Sequence, residues 1–299
     1  MNLISTWRNM VSAALLFAAL LVGGVQQSTA LSVSASAAVL MDAESGRVLY
    51  EHNAHTPMLI ASTTKIMTAL TALRHYDLNE VVTVSREVTL TEGSSMYLKE
   101  GEQLTVEELL YGLLLASGND ASEALARHCG DRERFVGWMN ELAEEIGMTE
   151  SCFENPSGLD GVNHKASAYD MAKLAVCAME DPAFARMVST RSMTIGGRTL
   201  SNHNKLLWQL EGCVGLKTGY TKAAGRTLVS AVERDGRMLI AVTLCDGNDW
   251  EDHKALHEYG FSLLDAEEED PLLLPAGEAA MAGEKTGAAR LFEKLRAWL

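Results

Sequence analysis

The sequence predicts an α+β fold, an antiparallel sheet flanked by helices beside a mostly helical subdomain. Three observations carry this. Two short apolar runs near the start, Ala37 to Met41 and Arg47 to Tyr50, are joined by the turn-forming Asp42-Ala43-Glu44-Ser45-Gly46 and read as a β-hairpin. The middle third repeats its apolar residues at helical spacing. The last third returns to strand-like runs, and strands at both ends with helices between them close most simply as one sheet that the first hairpin joins.

Taken in order, Pro57 ends the first extended stretch and a helix follows, carrying Ser62 and running to about His75. Residues 81–101 are rich in Thr, Val and Gly and read as short strands and loops, including Gly93-Ser94-Ser95-Met96-Tyr97. Thr105 with Glu108 forms a capping-box signature, and Leu109, Leu110, Leu113 and Leu114 supply the buried stripe of that helix. Ala116-Ser117-Gly118-Asn119-Asp120 interrupts it, and a second helical run covers 120–129. Asp131 caps a third, in which Phe135, Trp138, Met139, Leu142 and Ile146 recur before Gly147 ends it. Asn155-Pro156-Ser157-Gly158-Leu159 is a turn-rich loop. Ser167 with Asp170 opens a further helix expected to stop near Asp181-Pro182. Strands are then expected at 193–195, 214–218, 227–233 and 237–245, the last two joined through Asp235-Gly236. A helix over 250–264 follows, with Ala255, Leu256, Tyr259, Phe261 and Leu264 as its apolar positions.

The 299 residues allow one large or two ordinary domains, and a net charge of −15 with pI near 5.0 excludes a nucleic-acid partner that would want a basic face. Residues 1–30 have the layout of a secretory signal peptide: Arg8, an apolar run from Met10 to about Val25, then Ser28-Thr29-Ala30. The expected organisation is therefore a signal peptide over 1–30, a catalytic domain over 31–265, an acidic and Ala/Gly-rich linker over 266–287 and an amphipathic segment over 288–299. Cys129, Cys152, Cys177, Cys213 and Cys245 form no Cys-x-x-Cys, and most are expected as small buried apolar residues, one bridge remaining open. His253 and His257 are expected on a helix face rather than around a metal. No motif calls for a metal or cofactor.

The chemistry sits in Ser62-Thr63-Thr64-Lys65. Residues i and i+3 share a helix face, so the Ser62 hydroxyl and the Lys65 amine can meet. A lysine whose pKa is lowered by burial or nearby positive charge can take the serine proton. Alone the motif is weak, since roughly one Ser-x-x-Lys is expected by chance in such a chain. Lys217-Thr218-Gly219 ends a predicted strand and offers a cation, a hydroxyl for a substrate carboxylate and a glycine that lets substrate backbone approach. A second Lys-Thr-Gly at 285–287 has no strand around it and is read as coincidence. In isolation Ser117 is a turn residue, Asn119 a helix cap and Lys217 a solvated charge.

Ser-x-x-Lys, Ser117-Gly118-Asn119 and Lys217-Thr218-Gly219 occur in this order, 55 and 100 positions apart. The chain thereby resembles the serine penicillin-binding proteins, and within them the low-molecular-weight D-alanyl-D-alanine carboxypeptidases, over about residues 33–265. Met41-Asp42-Ala43, the Gly93 to Leu98 stretch, Asn155 to Leu159, Asn204 to Leu207 and Gly219 to Arg226 extend the resemblance. It implies the penicillin-binding protein and serine β-lactamase-like fold, with Ser62 as acylated nucleophile and Lys65 as its proton acceptor. Ser117 would relay a proton to the leaving amine, while Asn119 would hold Lys65 and the substrate amide. Lys217 and Thr218 would set the field and bind the terminal carboxylate, Gly219 lying in the same strand, and the N–H groups of Ser62 and Tyr220 would form an oxyanion hole. The implied partners are peptidoglycan stem peptides ending in D-Ala-D-Ala and β-lactams as covalent inhibitors.

Departures qualify the likeness. The family's arginine after the last strands has no counterpart between Cys245 and His253, which leaves the carboxylate anchor beyond Thr218 open and makes Arg226 a substitute to test. Residues 288–299 place Leu291, Phe292, Leu295, Trp298 and Leu299 on one face, a layout that fits peripheral membrane contact and equally a helix packed on its own domain. The enzyme is expected outside the cytoplasmic membrane. The competing functions are a β-lactamase, for which Glu154 beside Asn155 does not match the water-activating pattern, and a non-catalytic penicillin- or peptidoglycan-binding module.

Overall fold

The computed structural model describes residues 31–269, and every element below lies within the unit that begins at Val33. Strand β1 (Ala37–Asp42) is buried along nearly its whole length, which is why its apolar residues run without polar alternation. It pairs antiparallel with β2 (Val48–His52) on one side and β9 (Arg237–Leu244) on the other, and the sheet continues through β8 (Gly225–Arg234) to β7 (Cys213–Thr221). The order is thus β2-β1-β9-β8-β7. The early hairpin joins the late strands as expected. Asp235 and Gly236 both adopt positive φ, 51° and 77°, in the tight turn between β8 and β9. Strand β7 ends the sheet and leaves one edge open.

Helix α9 (Asp249–Glu269) covers one face, burying Leu256 and Phe261 where it packs on β8 and β9, worth about 2 kcal/mol for each side chain. His253 and His257 lie on its sheet-facing side, both fully buried, and Ser230 Oγ of β8 bonds to His253 Nδ1 at 2.6 Å and His257 Nε2 at 2.7 Å. Burial holds both imidazoles neutral, His257 down to about 3. The helix runs beyond its expected end because its acidic residues are paired to the strands: Arg237 binds Asp265 at 2.6 Å and Arg47 binds Glu267 at 2.7 Å. What was read as the start of a linker is the last turn of a helix. The signal peptide, the rest of the linker, the second Lys-Thr-Gly and the amphipathic segment lie outside the described residues.

The other half is built around α1 (Lys65–His75), whose residues from Lys65 to Ala72 are all buried, as a helix enclosed on every side requires. Around it stand α3 (Val106–Leu115), α4 (Asn119–His128), α5 (Arg132–Ile146) and α6 (Ala168–Met179), the last also packing on β1 and β9. The Thr105–Glu108 capping box forms, Asp131 accepts from Glu133 N, and Gly147 ends α5 at φ 77°. A short α2 (Arg86–Thr89) and the ribbon of β3 (Val81–Thr83) with β4 (Gln103–Thr105) complete the early segment.

Two further elements depart from expectation. Asp181-Pro182 ends α6 but also starts α7 (Pro182–Ser189), since the Asp181 carboxylate accepts from Ala183 N and Phe184 N and proline suits a first helical position. The strand at 193–195 is half of a separate ribbon, β5 (Ser192–Ile195) with β6 (Arg198–Ser201), turned through Gly196-Gly197. A single turn, α8 (Leu206–Gln209), precedes β7. All five cysteines are free and only Cys177 is buried; Cys152 and Cys245 are exposed, contrary to expectation. Cys152 sits in a loop bridge to Lys165, and Cys245 in the left-handed turn after β9.

Candidate active site

Ser62 lies in one turn of 3₁₀ helix, Ala61–Thr64, that feeds directly into α1. The sequence led us to expect an α-turn, but the contact is the same because residues i and i+3 eclipse in a 3₁₀ turn. Lys65 Nζ lies 2.9 Å from Ser62 Oγ. The turn is tied down from three sides. Thr63 and Thr64 hydroxyls donate to the Ile60 and Ala61 carbonyls at 2.6 and 2.8 Å, and Thr227 of β8 donates to Ile60 at 3.0 Å. Gly158 presses against it so closely that a Cβ there would lie 1.9 Å from the Ala61 oxygen, and its φ of +86° also favours glycine. Behind the turn, His164 Nδ1 accepts from Glu154 N at 3.0 Å, so its Nε2–H faces Thr64 Oγ1 at 2.7 Å. Burial lowers the His164 pKa to about 4 and keeps it neutral.

Lys65 is fully buried and its Nζ has three partners: Ser62 Oγ, Asn119 Oδ1 at 2.7 Å and the Ser157 carbonyl at 2.6 Å. Burial first, then the neighbouring Lys217, drive its pKa well below the usual lysine range, against an opposing pull from Asp120. In its neutral form, which the lowered pKa favours, the amine would have two N–H donors and one lone pair. The two amide-type oxygens can only accept, so they take the donors, and the lone pair is left for the one partner with a proton to give, Ser62. The geometry is that of a base beside its nucleophile.

Asn119 opens α4 without capping it. Its Oδ1 receives Lys65 and its Nδ2 donates to the Glu92 carbonyl at 2.6 Å, so this side chain braces the amine against the 92–98 loop. Ser117, two residues earlier, is 4% exposed at φ 57°, a left-handed conformation rare for serine, and lines the cavity. Asp120 was read only as a helix start. Its carboxylate accepts from Ser95 Oγ at 2.6 Å and from the N–H groups of Met96, Leu98 and Ala121 at 2.9–3.0 Å, and so shapes the loop that presents Ser94 to the cavity.

The third motif runs along the open edge of β7. Lys217 is buried, donates to the Thr218 carbonyl at 2.9 Å, and has its pKa lowered to about 7 by burial. Gly219 is required by the protein's own packing: a Cβ there would lie 2.4 Å from Thr227 Oγ1 and 2.9 Å from Ser62 N. The sequence reading gave the glycine to substrate approach, whereas the close neighbour here is the serine turn itself. Asp246 N donates to the Arg226 carbonyl at 2.9 Å, so Arg226 and the facing Tyr220 form a non-hydrogen-bonded pair across β8 and β7. The Tyr220 N–H therefore points off the free edge.

A cavity of about 580 Å³ gathers these parts. Ser62, Ser117, Thr218, Gly219 and Tyr220 line it, and Lys65, Asn119 and Lys217 stand within or behind its wall. Ser94, His203, Arg226, Asp249 and Trp250 complete the lining. Of these, Ser94 belonged to a stretch that carried the family likeness without an assigned role. The sequence reading gave His203, Asp249 and Trp250 no role: His203 lies in the loop after β6, and Asp249 and Trp250 open α9. Three motifs from separate thirds of the chain meet at one opening.

A profile of D-alanyl-D-alanine carboxypeptidases matches residues 24–248. The chain belongs to the D-alanyl-D-alanine carboxypeptidase family. It is 35% identical over 228 residues to the carboxypeptidase DacF of Bacillus subtilis, covering 73% of this chain and 59% of that protein. Against DacD of Escherichia coli it is 38% identical over 226 residues, covering 71% and 58%. The chain thus spans somewhat under two thirds of the length of these relatives. The DacB2 carboxypeptidase of Mycobacterium tuberculosis is 35% identical over 240 residues, with 75% of this chain and 81% of the relative covered. Among solved structures, a D-alanyl-D-alanine carboxypeptidase from Mycobacterium tuberculosis superposes with a TM-score of 0.74 at 33% identity, over 80% of this chain and 96% of that one. The Streptomyces K15 DD-transpeptidase gives 0.74 at 30% identity, over 77% and 98%. The carboxypeptidase fold expected from the motifs is therefore the one observed.

Proposed function

We propose that this chain is a serine-type D-alanyl-D-alanine carboxypeptidase that removes the terminal D-alanine from peptidoglycan stem peptides through an ester on Ser62. The observation that carries the reading is the Lys65 amine, 2.9 Å from Ser62 Oγ and held by two obligate acceptors. Lys65 takes the Ser62 proton as Oγ attacks the carbonyl between the two D-alanines. The N–H groups of Ser62 and Tyr220 receive the negative oxygen of the tetrahedral intermediate, supported by the field of Lys217. Ser117 passes a proton to the departing D-alanine nitrogen, and Thr218 meets its carboxylate. Water then cleaves the ester. Asn119 positions Lys65 and turns its remaining N–H to the substrate amide. β-Lactams, which present a strained amide to the same serine, acylate it and leave slowly: the carboxylate that lines the cavity, Asp249, is engaged by Arg226. Work on peptidoglycan puts the enzyme outside the cytoplasmic membrane, and residues 288–299 would give it peripheral membrane contact.

Purified protein incubated with an N-acylated peptide ending in D-Ala-D-Ala should release D-alanine, and Ser62→Ala should not. Fast nitrocefin hydrolysis would favour the β-lactamase reading, and penicillin labelling without D-alanine release the binding-module reading.

A further inference from the structure

Beyond Gly219 the cavity wall carries a second constellation, Arg226 with Asp249 and Trp250, which attack and proton transfer at Ser62 do not use. Arg226 faces Tyr220 in the register of β8 and β7, so its side chain leaves the sheet on the same face as those of Tyr220 and Thr218. Its Nη2 lies 3.0 Å from Asp249 Oδ1, with Asp249 5% and Arg226 46% exposed. Asp249 Oδ1 also accepts the Trp250 N–H at 3.1 Å, and the guanidinium carbon stands 5.9 Å from the Trp250 ring centre. A buried carboxylate thus holds one edge of the guanidinium and an indole supports its face. The fork has five N–H donors, and the half-exposed remainder borders the cavity that contains Ser62 and Thr218.

We propose that Arg226, oriented by Asp249 and Trp250, binds the C-terminal carboxylate of the peptide and is the specificity-determining residue of this site; the inference rests on the carboxypeptidase reading. Among the neighbouring cations, Lys205 stands 5.9 Å from the same Trp250 ring centre but is a single point charge outside the cavity lining, and the two lysines of the motifs are engaged. Lys65 Nζ has all three positions engaged, and Lys217 is buried with its Nζ on the Thr218 carbonyl, where burial leaves it only partly charged at neutral pH. Arginine keeps its charge at any working pH and grips a carboxylate through two parallel N–H bonds. The position also fits the chemistry. A leaving D-alanine laid along the β7 edge would carry its carboxylate one residue beyond the bond under attack, and Arg226 faces Tyr220, one position beyond the Gly219 that touches the Ser62 turn.

Two substrates that differ in one group provide the test: an N-acylated peptide ending in D-Ala-D-Ala and the same peptide ending in D-Ala-D-alaninamide. Their kcat/KM values are compared in wild type, Arg226→Gln, Arg226→Lys and Asp249→Asn by release of D-alanine or D-alaninamide. Arg226→Gln is expected to lower kcat/KM for the free acid about 30- to 100-fold, chiefly through KM, and to move the amide less than about threefold. Arg226→Lys should recover part of the preference, and Asp249→Asn should raise KM for the acid alone, about three- to tenfold. An unchanged acid-to-amide ratio in Arg226→Gln overturns the proposal, whether both activities survive or both fall together as a structural role requires. Failure of the underlying reading looks different: wild type then releases neither D-alanine from the acid nor D-alaninamide from the amide. Equal turnover of acid and amide by wild type removes the anchor and leaves the carboxypeptidase reading standing.

Discussion

The carbonyl oxygen of Ser157 lies 2.6 Å from Lys65 Nζ, in a loop that the backbone of Gly158 locks against the serine turn. Together with Asn119 Oδ1 it would take both donors of the amine in its neutral form and leave the lone pair for Ser62. Lys65→Arg keeps a cation in place but has no lone pair to offer, because a guanidinium does not deprotonate. It should lower the rate of Ser62 acylation by a fluorescent penicillin by about a thousandfold or more. Labelling at the wild-type rate would remove Lys65 as the base.

Asp120 should prove as necessary as the motif residues. It is 3% exposed and accepts four hydrogen bonds, three of them from the 95–98 loop. Asp120→Ala strands buried donors and should cost about 2–4 kcal/mol in urea unfolding. The slackened loop should also slow acylation, and a variant with wild-type stability and rate would contradict the role given to this carboxylate.

Lys217 should give the reaction its pH dependence on the alkaline side. Burial brings it to about 7, so the cation that supports the developing oxyanion fades as pH rises through that region. The second-order rate of acylation by benzylpenicillin, measured from pH 5.5 to 9.5, should show a falling limb centred near 7. A rate still climbing toward the ordinary lysine range would be inconsistent with both buried lysines as described.

The buried histidines set the acid limit of stability. His164 titrates at about 4 and His257 at about 3, and His253 is depressed in the same direction, each mainly by burial. A folded-state pKa below the unfolded value means that stability is complete above about 6.5 and drains away as pH falls toward the folded pKa. Between pH 6.5 and 5, His164 and His257 should each remove about 2 kcal/mol. Urea midpoints at pH 7.5, 6.5, 5.75 and 5.0 should fall steeply below 6.5; midpoints that hold or rise would mean these imidazoles take up protons in place.

Much of this architecture is legible in the letters because local rules and the global fold agree. The capping box at Thr105, the αL glycine at 147 and the Asp235-Gly236 hairpin each state their structure in a few residues. Ser62 and Lys65 were legible for the same reason, their contact being local. Ser157, Asp249 and Trp250 were not, since a backbone carbonyl has no residue-type signature and the start of α9 reaches the cavity only through the sheet order. The extra turn of α9 was hidden because an acidic run reads as solvated until Arg47 and Arg237 are seen beside it. Gly196-Gly197 did carry a hairpin signal, masked by the shortness of β5 and β6.

The central claim is that one hydroxyl, Ser62, becomes the attacking group because Lys65 holds its proton. Tryptic peptide mass spectrometry after brief exposure to benzylpenicillin tests it most directly. The account predicts one penicilloyl group per chain, on the peptide containing Ser62, absent from Ser62→Ala and scarcely formed in Lys65→Arg. An adduct on any other residue, or one that forms equally fast without the Lys65 amine, would contradict it.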